Sequence, residues 1–206
     1  MFGREAWMTV ATSADDEIRE RILTGYKDGK PFTPYVPTLA LPSDINTVLD
    51  FGCGLGRNFP YLKGVARSVA GFDLPPMIER CRRSAADGVD LLAADWDQLK
   101  VLRVDLIFAS LVLQHIEPAP VRLFLQDFSR MTPCVYLLTR NTTDFGENLF
   151  DIVAETELFV PGECVEVEHD PATHQLQVMG RSSFDEARRG GGDSHFEVLL
   201  RSARPK

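Results

Sequence analysis

The stretch that decides the fold runs from Val48 to Asn58 and reads VLDFGCGLGRN. It begins with apolar residues, as the end of a buried strand does. An acid, Asp50, and three alternate glycines, Gly52, Gly54 and Gly56, follow. Glycine lets the backbone approach a ligand closely, because no Cβ stands in the way. A strand that leads through a glycine turn to a helix N-terminus is typical of a nucleotide-cofactor site.

Strand and helix patterns alternate from this stretch onward. Strands are predicted at residues 47–51, 68–72, 90–93, 104–110 and 134–138, and helices at 58–65, 75–87 and 119–131. The run VDLIFAS at 104–110 is almost wholly apolar, as expected for a strand that is buried on both faces. The alternation predicts an α/β, Rossmann-like, doubly wound fold with a mostly parallel sheet.

The two ends of the chain have other patterns. Ser13 is predicted to cap a helix that runs to about Gly25, and a proline-rich extended segment follows it. Near the other end, residues 148–157 predict a helix, and residues 164–168 and 175–179 predict an antiparallel hairpin. Residues 196–202 predict a last strand at or near the edge of the sheet.

We therefore predict a single domain over residues 1–206. Its parts are an N-terminal helical cap at 1–45, a cofactor-binding half at 46–140, and a substrate-side half with the C-terminal strands at 141–206.

Composition narrows the class of partner. The net charge of -8 and the pI near 5.0 argue against a nucleic-acid partner, because phosphate binding normally needs a basic face. The four cysteines are widely spaced and are predicted to be reduced thiols of a cytoplasmic protein. No signal pattern or long apolar run predicts export or a membrane, and no residue spacing predicts a metal site. The sequence does not fix the oligomeric state, and a homodimer stays open.

Three acids stand at corresponding places in the predicted sheet. Asp50 ends the first strand, Asp73 ends the second, and Asp95 follows the third. The carboxyl ends of parallel strands share one edge, where ligands bind in such folds. Asp73 lies 17 residues after Gly56, about where an acid reaches ribose hydroxyls. Arg57 occupies the place of the third glycine in a dinucleotide fingerprint, which disfavours an NAD-dependent enzyme.

Four stretches resemble, in order, the motifs of class I S-adenosylmethionine-dependent methyltransferases. The glycine stretch is similar to motif I, GFDLPPMIERCR (71–82) to the second motif, LLAADW (91–96) to the third, and VDLIFASLVLQHI (104–116) to the fourth strand and the segment after it. The resemblance covers roughly residues 46–140. It implies S-adenosyl-L-methionine as cofactor and a seven-stranded sheet with a reversed last strand in a β-hairpin.

The resemblance also implies roles for single residues. Asp50 and Gly52 would lie near the methionine part of the cofactor, and Asp73 would hold the ribose. Asp95 and Trp96 would flank the adenine, and Ser110 to Leu113 would close the pocket near the sulfonium. The full set of expected cofactor-binding residues is Asp50, Gly52, Gly54, Gly56, Asp73, Leu74, Asp95, Trp96 and Ser110.

The methyl acceptor would meet residues after the fourth and fifth strands. His115 is the best-placed candidate for a general base, and a structural histidine is the alternative. Asn141, Asp144 and Glu147 are further candidates for contact with a substrate. Two other histidines, His169 and His174, are expected to be solvated, and His195 is expected to have no functional role.

The sequence ASLVLQ at the end of strand four lacks the (N/D/S)PPY signature of enzymes that methylate DNA adenine or glutamine. Together with the acidic charge, this favours methyl transfer to an O, N or C atom of a small molecule. Three alternatives stay open: a protein side-chain methyltransferase, a protein of this fold that binds the cofactor without turnover, and an NAD-dependent enzyme.

Overall fold

The computed structural model describes residues 4–13, 36–84, 89–170, 176–190 and 194–203. The strands are β1 (Ile45–Phe51), β2 (Ala66–Phe72), β3 (Leu91–Ala93), β4 (Leu106–Ser110), β5 (Cys134–Arg140), β6 (Phe159–His169), β7 (Leu176–Ser182) and β8 (His195–Ser202). The helices are α1 (Arg4–Thr12), α2 (Phe59–Val65), α3 (Pro75–Ser84), α4 (Trp96–Leu99), α5 (Pro118–Met131), α6 (Leu149–Thr156) and α7 (Phe184–Arg189). A 3₁₀ turn, Leu113–His115, follows β4.

The eight described strands form one sheet in the order β3-β2-β1-β4-β5-β8-β6-β7. Strands β1 to β5 are parallel, and the chain order reverses between β1 and β4. This arrangement confirms the predicted α/β, Rossmann-like, doubly wound fold. The carboxyl ends of β1, β2 and β4 meet beside the reversal, where open α/β sheets bind their ligands.

The C-terminal strands differ from the expectation in two ways. The predicted hairpin is confirmed as the antiparallel pair β6 and β7. The last strand, β8, is not at the edge: it lies between β5 and β6 and is antiparallel to both. The described sheet also has eight strands instead of seven, because β7 pairs with β6 and forms an additional strand at the outer edge.

The sheet is covered on both faces. Alternate residues of β1 point to opposite sides, so Leu49 and Phe51 belong to one core and Val48 to the other. The first core is packed by α5 and α6, which bury Phe128 and Phe150. The second is packed by two other sets of residues: Phe59 and Leu62 of α2, and Ile78 and Cys81 of α3. By the same alternation, Asp50 points toward the side of Val48.

The N-terminal cap is attached at two described places. The guanidinium of Arg80 in α3 donates to the carbonyl of Ser13, just after α1. Residues Thr38 and Leu39 bind the buried carboxylate of Glu197 on β8. The helix α1 was not expected, and the helix predicted from Ser13 to Gly25 lies, apart from Ser13, outside the described residues.

Candidate active site

The glycine loop between β1 and α2 depends on left-handed backbone conformations. Gly52, Gly54 and Gly56 have φ values of 75°, 56° and 85°. The N–H groups of Gly52 and Cys53 both donate to the carbonyl of Phe72, at 2.8 and 3.0 Å. Only glycine adopts positive φ without strain, so the three glycines allow the loop to turn back against the end of β2.

The segment after β4 packs directly on this loop. A Cβ on Gly52 would stand 2.7 Å from the Cβ of Val112 and still closer to one of its methyl groups. Leu111, just before Val112, has a φ of 57°, a conformation that is rare for a residue with a branched side chain. The ends of β1 and β4 are therefore in contact, and the sequence stretches that contain Gly52 and Ser110 form one site.

Asp73 connects the glycine loop to the end of β2. Its two carboxylate oxygens accept N–H groups from Gly54 at 2.7 Å and from Leu74 at 2.6 Å. Burial raises the pKa of Asp73 to about 6, although these two hydrogen bonds lower it in part. Each oxygen accepts one bond and retains further acceptor capacity, so the side chain can also take hydroxyl donors.

Three buried polar side chains at this edge have atoms without partners among the described residues: both oxygens of Asp50, Oδ1 of Asn58 and Oγ of Ser110. Asp50 is fully buried. Burial raises its pKa to about 7, while the nearby Asn58 amide and the charge of Arg57 lower it in part. The Asn58 amide is close to Asp50 without satisfying its oxygens in good hydrogen-bond geometry. Unpartnered buried polar atoms cost free energy, and such a group in a native structure calls for a ligand or water.

The raised pKa of Asp50 leads to a prediction for the cofactor-free protein. Below the ordinary pKa of a carboxyl group, Asp50 is protonated in both the folded and the unfolded state, so its ionisation does not affect the free energy of unfolding. As the pH rises toward 7, only the unfolded state loses its proton, so stability must fall until the folded pKa is passed. We expect wild type to lose about 2 kcal/mol relative to Asp50→Asn between about pH 5.5 and pH 7.

Urea unfolding of both proteins over this pH range measures the difference. The asparagine keeps the shape of the carboxyl group and cannot ionise, so other titrating groups contribute equally to both curves. Parallel pH profiles would show that Asp50 is ionised normally in the folded protein.

The third expected acid has structural partners of its own. Asp95 is exposed and caps α4, where it accepts the N–H of Asp97 at 3.0 Å and the side-chain amide of Gln98 at 2.8 Å. Trp96 donates its indole N–H to Asp127 at 2.8 Å and packs edge-on against Phe51. The structure thus gives Asp95 and Trp96 a helix-capping and a packing role, and their contact with adenine stays a prediction.

His115 lies in a hydrogen-bonded network at the same edge. Its Nδ1 is 2.8 Å from Oδ2 of Asp144, and the other carboxylate oxygen of Asp144 binds the guanidinium of Arg140. The Nε2 of His115 is 3.4 Å from the side-chain nitrogen of Gln114. The backbone N–H of His115 donates to the carbonyl of Val112, which contacts the glycine loop. Burial lowers the pKa of His115, and Asp144 offsets this only in part.

The other expected residues are placed differently. Asn141 is buried and donates its amide to the carbonyl of Gly190, so it connects the end of β5 to the loop before β8. Glu147 forms an ion pair with Arg122 at 3.2 Å on the surface. His195 is partly buried, and His174 lies outside the described residues.

Sequence reasoning did not single out Asn58, Gln114 or Arg140 as site residues. Asn58 and Gln114 each lie inside a quoted motif, and their polar side chains next to apolar runs were an available signal. Val112 lies within the range expected to close the pocket, but its contact with Gly52 depends on strand order and was not predicted. Arg140 is recognised only once β5 is placed beside β4.

Two features are absent from the part of the chain that the structure describes. No described helix has the length and apolar character to cross a membrane. No group of three or more histidine, cysteine, aspartate or glutamate residues there is arranged to hold a metal ion.

Comparison with known proteins agrees with this fold. The family model described as methyltransferase domain matches residues 48–133. No curated protein matches the sequence.

Several solved structures share the fold. The N-methyltransferase NodS from Bradyrhizobium japonicum, solved with S-adenosyl-L-homocysteine, is 18% identical over 78% of this chain and 79% of its own, with a TM-score of 0.54. A TehB-like SAM-dependent methyltransferase from Corynebacterium glutamicum is also 18% identical, over 79% of this chain and 82% of its own, with a TM-score of 0.54. Magnesium protoporphyrin IX methyltransferase from Synechocystis is 16% identical over 75% and 69%, with a TM-score of 0.50.

The fold is thus that of the class I S-adenosylmethionine-dependent methyltransferases. Residues 48–133, which hold the glycine loop and strands β2 to β4, match a methyltransferase domain, and this confirms the resemblance inferred from the four sequence motifs.

Proposed function

We propose that this protein binds S-adenosyl-L-methionine and transfers its methyl group to a small molecule. One observation carries the proposal: the fully buried carboxyl of Asp50, without a partner among the described residues, at the end of the strand that leads into the glycine loop. A buried acid without donors costs several kcal/mol, so a cationic ligand group beside it would relieve this cost. The cofactor's amino-acid part carries such a group.

The residues at the site fit the cofactor. Asp50 suits an ammonium group, and the unpartnered Ser110 hydroxyl suits a second polar group of the amino-acid part. Asp73 suits two ribose hydroxyls, since its oxygens retain acceptor capacity. Gly54 and Gly56 carry no Cβ, so the backbone of the loop allows a ligand to approach closely. When bound, the cofactor supplies a methyl group activated by its attachment to a sulfonium.

The acceptor is proposed to be a small molecule. The structurally similar proteins include a mitomycin 7-O-methyltransferase, 14% identical with a TM-score of 0.53, and a phosphoethanolamine N-methyltransferase, 17% identical with a TM-score of 0.50. These names describe other proteins, and their variety shows that the fold alone does not select O or N acceptors. The acidic net charge of -8 adds support against a nucleic-acid acceptor.

The alternative function is cofactor binding without turnover, and two experiments test both proposals. In calorimetry, S-adenosylhomocysteine should bind and NAD should not; the reverse result would overturn the cofactor. Incubation with methyl-labelled S-adenosylmethionine and a panel of small hydroxyl, amine and carboxylic-acid acceptors should give labelled product. Binding without transfer to any member of the panel would favour the alternative.

Asp73→Ala should weaken S-adenosylhomocysteine binding by about 1–3 kcal/mol, the usual loss for hydrogen bonds to a charged group. The matched control is Asp90→Ala, because Asp90 also accepts a backbone N–H of β2, from Val69 at 2.9 Å, but lies away from the glycine loop. We expect the control to keep full affinity. Calorimetry measures the affinity of both folded variants for S-adenosylhomocysteine. Equal affinities would show that Asp73 does not bind the cofactor.

A further inference from the structure

We propose that Asp50 holds a proton in the cofactor-free protein and gives it up when the ammonium group of the cofactor enters the site, so that cofactor binding is coupled to the release of a proton. This inference rests on the proposed binding of S-adenosyl-L-methionine. It adds to that proposal the protonation state of one acid before and after binding. It also assigns the pH dependence of the affinity to the amino-acid part of the ligand.

The first argument comes from the surroundings of Asp50. Its side chain is fully buried, and neither carboxyl oxygen has a hydrogen-bond partner among the described residues. Asp50 stands opposite Gly71 of β2 and Phe108 of β4, so the backbone N–H groups around it are used to pair the strands. A carboxylate that loses its water without gaining donors is less stable than the neutral acid.

Two groups near Asp50 favour its ionised form, but they do not compensate for burial. One is the Asn58 amide, just before α2, and the other is the charge of Arg57 in the glycine loop. Burial has the larger effect and raises the pKa of Asp50 to about 7. The neutral acid is therefore the main form of the cofactor-free protein below this pH.

The other groups that face Asp50 bring no positive charge. Asp73, at the end of β2, raises the pKa of Asp50 because two negative charges in one buried site repel each other. The thiols of Cys53 in the glycine loop and Cys81 on α3 are close enough for the charge of Asp50 to disfavour their thiolate forms. On β4, the residue opposite Asp50 is the uncharged Phe108.

Asp50 lacks what an ammonium group supplies, namely a positive charge and three N–H donors. A cation beside a carboxyl group favours the ionised form and commonly lowers the pKa by about 1–3. In the proposed step, the O–H bond of Asp50 breaks, its electron pair stays on the carboxylate oxygen, and the proton passes to the solvent. The ligand keeps all its hydrogens, so one buried neutral acid is replaced by a pair of opposite charges.

The direction of the pH dependence follows from this exchange. An α-amino group stays protonated between pH 6 and pH 7, so only the protein loses a proton on binding in this range. Binding therefore weakens as the pH falls below the pKa of Asp50. We expect the dissociation constant of S-adenosylhomocysteine to be about fivefold larger at pH 6 than at pH 7, with release of about half a proton at pH 7 and nearly one at pH 6.

Two other groups at this edge titrate in or near the same range. Burial raises the pKa of Asp73 to about 6, and burial lowers the pKa of His115 below its ordinary value of 6.5. A second ligand, 5′-methylthioadenosine, separates their contribution from that of Asp50. It keeps the adenosine and the thioether but has no amino-acid part, so it retains any pH dependence that comes from contact with the ribose.

Calorimetry in two buffers measures the released proton directly. PIPES and imidazole both buffer between pH 6 and pH 7 and differ in their enthalpy of protonation, so the difference in observed binding enthalpy gives the number of protons released. Wild type should release about half a proton with S-adenosylhomocysteine at pH 7 and almost none with 5′-methylthioadenosine. Asp50→Asn should bind S-adenosylhomocysteine without proton release, because the amide does not ionise.

The matched control is Asp90→Asn, which makes the same change of an acid to an amide away from the glycine loop. Asp90 accepts the backbone N–H of Val69, and this hydrogen bond lowers its pKa, so the acid is ionised throughout the pH range used. We expect this variant to release as much of a proton as wild type.

Two results would overturn the inference: binding of S-adenosylhomocysteine to wild type without proton release, and equal release from wild type and Asp50→Asn. If Asp50→Asn does not bind, the two ligands compared on wild type decide, and equal release with both would overturn it. Failure of wild type to bind either ligand would instead overturn the proposed function.

Discussion

Glu197→Ala should lower the free energy of unfolding by about 3–5 kcal/mol, because it removes the shared acceptor of several buried hydrogen bonds and leaves their donors unpaired. The carboxylate is fully buried on β8 and accepts from the N–H of Thr38 at 2.9 Å, the N–H of Leu39 at 3.1 Å and the hydroxyl of Tyr136 at 2.8 Å. The hydroxyl of Thr38 donates as well. Alanine would leave these donors buried or half-buried with no acceptor, and each such loss costs about 1–3 kcal/mol.

Urea unfolding measures the effect, and Glu163→Ala is the matched control. Glu163 forms an exposed pair with Arg181, at a distance of 2.5 Å, and an exposed pair contributes no more than about 1 kcal/mol. Glu197→Gln keeps the volume but turns an NH₂ group toward the donors, so it should lie between the control and the alanine variant. If Glu197→Ala is no less stable than Glu163→Ala, the carboxylate does not hold the N-terminal segment on the sheet.

The same residue explains why part of the fold could not be predicted. The sequence predicts a strand over residues 196–202 at or near the edge of the sheet, and it gives no signal for the buried position of Glu197. Its charge is instead satisfied by residues almost 160 positions earlier in the chain. The strand β8 pairs with β5 on one side and with β6 on the other. These pairings join segments that are far apart in the chain, so the local periodicity of the sequence does not predict them. The parallel half was predictable, because each of its strands is followed by a helix and ends in a recognisable acid or turn.

The candidate site also combines residues that local sequence signals predict with residues whose positions depend on long-range packing. Asp50, Gly52 and Asp73 were found because their spacing after strands is a local signal, and the strand order then brings them together. Asp95 shows the limit of that signal, since an acid after a strand caps a helix as readily as it binds a ligand. The partners of His115 could not be found at all from spacing, because they depend on how the end of β5 lies against the turn after β4.

Gly52→Ala should lower the free energy of unfolding by about 2–5 kcal/mol. A left-handed conformation costs about 1–2 kcal/mol for a residue with a Cβ, and an added methyl in a filled space costs about 1–3 kcal/mol. Both costs arise here: φ is 75°, and the new Cβ would stand 2.7 Å from the Cβ of Val112. We also expect weaker binding of S-adenosylhomocysteine, because the loop can only relieve the contact by moving away from the end of β4.

Gly64→Ala is a control that should change the free energy of unfolding in the opposite direction. Gly64 lies in α2, and an added Cβ would meet no atom within 4 Å, so alanine should stabilise the helix by about 0.5–1 kcal/mol. A Gly52→Ala variant as stable as Gly64→Ala would contradict the loop geometry described above.

The double variant Gly52→Ala with Val112→Gly separates the two costs of the substitution. Removing the Cβ and the methyl groups of Val112 opens the space for the new Cβ, but it leaves the φ of residue 52 unchanged. If the steric contact costs more than the backbone strain, the two substitutions will be strongly non-additive, and the double variant will be more stable than the sum of the singles by about 1–3 kcal/mol. If the backbone strain costs more than the contact, the effects will add. A coupling energy of this size would show that the glycine loop and the segment after β4 are in direct contact, as the approach of Gly52 to Val112 requires.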